Sequence, residues 1–342
     1  MSHLELGLDT FGDVTRGADG ALLPHAQVLR DIVAEAVLAD SVGVDFIGLG
    51  EHHRADFAIS APDVVLAAIA GQTTRIRLGS AVTVLSSDDP IRVFQRFSTL
   101  DALSNGRAEV ILGRGSFTES FPLFGFPMNQ YETLFSEKLD LFAALISNQP
   151  VTWQGTHRTQ LKDQAVFPPI ERGTLKTWIG VGGTPESVVR AARYGLPLML
   201  AIIGGDPKRF RPYVDLYHSA LGQLEKARLP VGAHSPGYVA DTDARAREEL
   251  FDDYKAMRDR IGAERGWPPM GRDEFDNEIE HGSLYVGSPE TVARKIAATV
   301  QALELDRFDL KYSAGPIPHD RLMRCIELYG TKVIPMVREI LG

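Results

Sequence analysis

The chain carries a single cysteine, Cys325, among its 342 residues. A lone thiol excludes an intrachain disulfide and any multi-cysteine zinc or iron–sulfur site, and it fits a reducing compartment. Runs of clustered Lys and Arg are missing too, and the formal net charge is −9. That acidity argues against a duplex-sized nucleic-acid surface. No stretch of about 18 uncharged apolar residues occurs. The opening Met1-Ser-His-Leu-Glu-Leu-Gly-Leu-Asp lacks a basic segment followed by an apolar one. The expectation is a soluble cytoplasmic protein with Cys325 in the core of its last helix, and no nucleic-acid or membrane partner.

Several site signatures are absent as well. There is no His-Glu-x-x-His pair and no His-x-His on a strand face, so no metal site is expected. No glycine-rich loop ends in Gly-Lys-Ser/Thr. The turn after the first apolar run, Leu8-Asp-Thr-Phe-Gly-Asp, has one glycine where a dinucleotide fingerprint needs three.

What is present is alternation. Short apolar runs rich in Val, Ile and Leu predict strands at Leu4–Leu8, Phe46–Leu49, Ile76–Val82, Ala108–Leu112, Thr177–Val181, Leu198–Ile203, Gly237–Ala240 and Phe308–Lys311. Between and after them, helical spacing predicts helices over His25–Val42, Ala61–Gln72, Pro90–Leu103, Gln130–Ser147, Pro185–Tyr194, Pro207–Arg228, Asp243–Gly262, Pro289–Ala302 and His319–Leu341. Eight strand–helix units with parallel pairing imply a closed (β/α)₈ TIM barrel of the α/β class, built as one domain over residues 1–342. The surplus length falls in four polar or Gly/Pro-rich insertions, Gly12–Pro24, Gly115–Asn129, Gln149–Gly173 and Glu264–Leu284. Insertions that follow strands lie on the C-terminal face, where barrels do chemistry.

Four stretches carry chemistry. Gly48-Leu-Gly-Glu-His-His-Arg-Ala-Asp56 ends the second strand in a carboxylate and two imidazoles. Adjacent residues on an extended chain point opposite ways, so one imidazole at most faces a pocket easily. Glu51 and His53 read as structural, pairing with backbone or with Arg54. His52 is open to a structural or a catalytic reading, since a neutral imidazole can move a proton near pH 7. Leu112-Gly-Arg-Gly-Ser-Phe closes the fourth strand, and Arg114 either offers donors to a phosphate or staples the turn to a carboxylate. Trp178-Ile-Gly-Val-Gly-Gly-Thr-Pro-Glu-Ser-Val runs from strand to helix through Gly180, Gly182 and Gly183. Thr184 is the expected N-cap there, which makes this helix end an anion-site candidate. Val286-Gly-Ser-Pro-Glu-Thr-Val repeats that cap with one glycine, and spacing alone does not choose between the two helices. Leu78-Gly-Ser-Ala-Val-Thr-Val ends the third strand in small residues that admit a flat group or simply pack.

Together these stretches resemble the bacterial luciferase-like flavin monooxygenases. The likeness rests on Gly50-Glu-His-His, Gly79-Ser-Ala-Val-Thr-Val-Leu, Asp89-Pro-Ile-Arg, Thr99-Leu-Asp-Ala-Leu-Ser-Asn-Gly-Arg, Arg114-Gly-Ser, Tyr194-Gly-Leu-Pro-Leu-Met-Leu and Val286-Gly-Ser-Pro-Glu, in that order along nearly the whole chain. The resemblance implies a TIM barrel in which His52 is the active-site base or proton donor. It implies that Ala81, Val82 and Thr83 back the flavin ring across a non-prolyl cis bond at Ala81–Val82. Phosphate falls to Arg114, Gly115 and Ser116 with Gly182, Gly183, Thr184 and Ser187, which selects the first capped helix. The backbone near Ile202 meets the ring edge. Gly113, lacking the larger side chain of light-emitting members, leaves room for substrate or oxygen, and Ile202 in place of their tryptophan argues against luminescence.

The implied activity is a two-component monooxygenase. Reduced FMN from a separate reductase reacts with O₂ to a C4a-hydroperoxide that oxidises a small organic substrate, and a homodimer is implied. The alternatives are a deazaflavin-dependent dehydrogenase or reductase on the same barrel, and a catalytically silent flavin-binding subunit. Substrate would meet the insertions Gly12–Pro24, Gly115–Asn129 and Glu264–Leu284, where Phe57, Phe117, Phe121 and Phe124 either greet an apolar ligand or pin loops.

Overall fold

In a computed structural model describing residues 4–115 and 117–342, eight strands close into a ring: β1 (Glu5–Thr10), β2 (Phe46–Leu49), β3 (Arg77–Ser80), β4 (Ala108–Gly113), β5 (Lys176–Val181), β6 (Leu198–Ala201), β7 (Val231–Val239) and β8 (Arg307–Lys311). Neighbours are parallel all the way round. The ring shuts where β1 pairs with both β2 and β8, Gly7 lying beside Phe46 and Glu5 beside Arg307. Most of these strands are mainly apolar because the helices cover one face and the barrel interior the other. Among the described residues no helix is long and apolar enough to cross a membrane.

The interior of the ring is ionic at its N-terminal end. Inward positions of β8 alternate Arg307, Asp309 and Lys311, while Phe308 and Leu310 are buried in the main hydrophobic core. Arg307 is fully buried, lies 3.4 Å from the centroid of the Phe46 ring, and donates to Glu109 at 2.7 Å and to Asp309 at 3.0 and 3.1 Å. Glu109 also accepts from Trp178 Nε1 at 2.8 Å and pairs with Lys176 and Arg77. A Cβ on Gly79 would stand 2.7 Å from the Phe46 ring and one on Gly7 2.2 Å from the Asp309 carboxylate, so these two positions make room for the plug. Burial pushes the Glu109 carboxyl up, and Arg307, Lys176 and Arg77 pull it down harder, to about 2.

The structure corrects several expectations. The barrel-bonded part of β7 is Val231–Pro236, upstream of the expected Gly237–Ala240. Gly232, His234, Ser235 and Pro236 are weak strand formers, and the ring imposes extension on them. The last third of β7 instead pairs with a short strand, Tyr285–Gly287. The insertion Gln149–Gly173 contains an antiparallel hairpin, Val151–Trp153 with Leu161–Gln164, and Glu264–Leu284 contains the helix Arg272–Glu280. The final helix is interrupted by a π-turn, Tyr329–Val333, just before Pro335, which has no N–H to continue the ladder.

Replacing Glu109 by Gln leaves Arg307 buried with less countercharge, and is expected to cost about 3–5 kcal/mol of stability in denaturant titration. Because the folded carboxyl is held below its ordinary 4.5, the contribution is complete above that pH. The gap between wild type and variant therefore narrows as pH falls through about 2.

Candidate functional site

At the C-terminal ends of the strands lies a cavity of about 330 Å³. Its floor is apolar, with Ala81, Val82, Ile111 and Met199, and its polar lining includes His52, His234, Asp309 and Arg114. The Ala81–Val82 peptide is cis. It is braced from β2's exit, where Glu51 accepts the Val84 N–H at 2.9 Å and donates its own N–H to the Val82 carbonyl at 3.3 Å. The other Glu51 oxygen lies 3.0 Å from His53 Nε2. Glu51 and His53 thus serve structure, paired with each other and the backbone rather than with Arg54.

Arg54 instead binds Glu119 and Glu264, the latter at 3.0 Å, and sets its guanidinium 4.5 Å from the centroid of the Phe117 ring. That joins β2's exit to two roof segments. Beneath this roof His52 sits between Phe11 and Phe57, each at 4.5 Å between ring centroids, with Phe117 at 5.4 Å. Its Nδ1 is buried without a hydrogen-bond partner. Burial first, then the positive charge of Lys311, depress its pKa to about 3. The ring is a neutral imidazole at physiological pH.

The expected cofactor residues divide. Ala81, Val82, Arg114, Gly115 and Gly182 line the cavity. Thr83 does not; it is buried and donates to Ser80 Oγ at 2.9 Å. Ser116 lies outside the described residues. The Ile202 side chain is in the core, and its N–H and carbonyl are taken by the His234 carbonyl and Ser235 Oγ, so Ile203 lines the cavity in its place. The room above Gly113 is not free. Val82 fills it, and a Cβ at Gly113 would stand 2.5 Å from Val82 Cγ2.

The two helices differ in their first turns. Ser288 caps its own helix, and the Asp243 carboxylate accepts the Ser288 N–H at 2.6 Å and the Thr291 hydroxyl at 3.0 Å. An acidic side chain of the protein already serves that end. At Pro185–Tyr194 the Thr184 hydroxyl turns to Ser187 Oγ, 2.8 Å away, and makes no bond to a backbone N–H. Gly182 lines the cavity, and Gly183, Thr184 and Ser187 do not. Arg114 Nη1 donates to Glu132 at 2.6 Å, and Arg190 binds the same carboxylate, so the stapled-turn reading of Arg114 holds alongside its place on the cavity wall.

The description of luciferase-like monooxygenases as a family matches residues 10–306. The chain belongs to that family. It is 26% identical to the alkanal monooxygenase alpha chain of Photorhabdus luminescens over 92% of this chain and 94% of that one. Its fold matches monooxygenase RslO1 from Streptomyces bottropensis with a TM-score of 0.83 at 22% identity, covering 97% of this chain and 99% of that one. It also matches the oxygenating constituent of 3,6-diketocamphane monooxygenase from Pseudomonas putida in complex with FMN, at 0.79 and 18% identity over 98% of both chains. An F420-dependent secondary alcohol dehydrogenase shares the fold at 0.76 and 16% identity, over 98% of this chain and 99% of that one.

A second imidazole faces the same cavity. His234 Nδ1 lies 2.7 Å from Asp9 Oδ2, and the His234 ring also lines an adjoining cavity of about 430 Å³. That cavity is walled by Phe57, Phe117, Tyr254, Met257 and Trp267, and has no lining from Gly12–Pro24. Phe121 is buried and Phe124 packs on His53, so those two rings pin their loop. No strand pattern in Val231–Pro236 marks His234 as a rim residue. Asp9 left a visible signal, a carboxylate inside an apolar run.

Nitrogen-15 NMR of the histidines should find the His52 ring neutral from pH 8 down to pH 5, given a folded pKa of about 3. Protonation of His52 between pH 6 and 7 would contradict its burial in the aromatic wall.

Proposed function

We propose that the chain is a flavin-dependent monooxygenase that takes reduced FMN from a separate reductase and oxidises a small organic substrate with O₂. The observation that carries this reading is a neutral, aromatic-walled His52, with an unpartnered Nδ1, at a cavity whose other end opens towards an uncapped helix N-terminus. Reduced FMN, when bound, supplies the two electrons that activate O₂.

The residues present fit such a group. Ala81, Val82, Ile111 and Met199 offer an apolar bed for a flat ring. Arg114 and Gly115, with Gly182, Gly183, Thr184, Ser187 and Ser116, would hold the phosphate through backbone N–H groups, hydroxyls and one guanidinium, the Ser187 N–H being already donated to the Thr184 carbonyl. Glu132 gives up part of its hold on Arg114 in that event. His52 holds a hydrogen bond at the reacting oxygen without bringing a charge, and Phe11, Phe57 and Phe117 keep water from it. Withholding a proton there is what separates oxygen transfer from loss of hydrogen peroxide. The dependence on an outside reductase is supported by the lack of a second nucleotide fingerprint.

The existence of F420-dependent proteins on the same fold favours one rival, hydride transfer with a deazaflavin. Binding preference separates the two, because a deazaflavin does not activate O₂.

His52→Ala is expected to bind reduced FMN within about threefold of wild type, while hydrogen peroxide released per O₂ consumed rises and product yield falls by at least about tenfold. Unchanged yield removes His52 from the mechanism. Exclusive binding of the deazaflavin replaces the monooxygenase reading.

A further inference from the structure

The flavin reading leaves the aromatic cavity beside the site without a role, and its lining differs from that of the first. Rings arrive from separate parts of the chain: Phe11 after β1, Phe57 after β2, Phe117 after β4, Tyr254 on the helix Asp243–Arg265, and Trp267 beyond it. Flat walls of this kind select a flat ligand. At the end it shares with the first cavity stands His234, whose side chain is 12% exposed. Asp9 fixes its tautomer by accepting from Nδ1, which leaves Nε2 for the cavity. The other Asp9 oxygen is buried and has no hydrogen-bond partner, so this carboxylate's only such partner among the described residues is His234.

We propose, building on the monooxygenase reading, that this cavity takes a planar phenolic substrate and that His234, positioned by Asp9, holds its oxygen as a phenolate by carrying the proton on Nε2. The balance is a proton transfer alone. The substrate O–H bond breaks, an Nε2–H bond forms, Asp9 keeps the Nδ1–H, and no electron moves. A phenolate captured directly from solution by the imidazolium ends in the same pair. Ionisation makes the ring carbons electron-rich, which is the activation that transfer of an electrophilic oxygen needs.

The charges around His234 favour this assignment. Asp9 reaches it from β1, and Asp309 and Lys311 come from β8. Lys311 is already bonded to Asp13 at 3.0 Å and to the Ser313 carbonyl, and it faces the Phe11 ring. Burial works against a charged His234, and Asp9 outweighs it, raising its proton affinity. His52, 4.5 Å from Phe11 on the other side, is driven the opposite way. Two imidazoles separated by one phenyl ring therefore divide acid–base work.

The test is titration of flavin-free protein with 4-nitrophenol, read by its phenolate absorbance at a pH where the free probe is mostly neutral. Bound probe should show a phenolate-to-phenol ratio at least about tenfold above that of free probe. His234→Asn should return the ratio to that of the free probe, and Asp9→Asn should lower it, with thermal melting as the check on folding. Neutral bound probe, or no binding, overturns the proposal. Equal ionisation in His234→Asn hands the anion to Lys311 and overturns it too. Should His234→Asn fail to fold, the wild-type ratio and the Asp9→Asn response decide. Reduced-FMN affinity, measured on the same wild-type protein, keeps the two readings apart: its loss sinks the flavin reading, while the probe's ionisation bears on this one alone.

Discussion

Everything at the rim depends on one buried cation. Arg307 closes the N-terminal end of the barrel by lying on Phe46 while Glu109 and Asp309 share its charge. An uncompensated guanidinium there would cost several kcal/mol, so the closed ring requires its carboxylate partners. With the floor ionic and filled, the remaining space inside the strands opens in one direction. The cavities described lie at the C-terminal face.

The same column of charges reaches the site. Arg307, Asp309 and Lys311 climb one face of β8, and Asp309, buried and near Asp9, is pushed up to about 7 despite its bond to Arg307. Lys311 at the top adds positive charge beside His52, reinforcing the burial that keeps that ring neutral. Asp9, one strand over, does the reverse for His234. Neighbouring imidazoles in one cavity thus have opposite proton affinities, and the cause lies in which strand supplies each neighbour.

Much of this was legible in the amino-acid order. Seven of the eight strands show as mainly apolar runs because parallel strands bury both faces, and the starts of the helices Pro90–Leu103 and Pro185–Tyr194 are marked by Pro. The site segments at Gly50–His53, Ala81–Thr83 and Arg114–Gly115 were visible as polar or small residues ending such runs. What escaped was set by tertiary context. Val231-Gly-Ala-His-Ser-Pro has no strand propensity of its own and is extended only because β6 and β8 pair with it, and His234 was lost with it. The alternation Arg307-Phe-Asp-Leu-Lys311 reads as a strand with one solvent-facing side, and only ring closure turns that charged side inward. No local pattern could show that Val82 occupies the space left by Gly113, or that Asp243 already serves the N-terminus of Pro289–Leu303, since both contacts cross between separate units.

The central claim is that the smaller cavity, between the neutral and the carboxylate-backed histidine, is the flavin site and the aromatic one is not. A crystal structure of the protein with FMN tests it most directly. The account predicts the ring against Ala81–Val82, flanked by His52 and His234, with the phosphate at the turn Gly182–Ser187. A ring stacked between Tyr254 and Trp267, or a phosphate at Ser288, would contradict it.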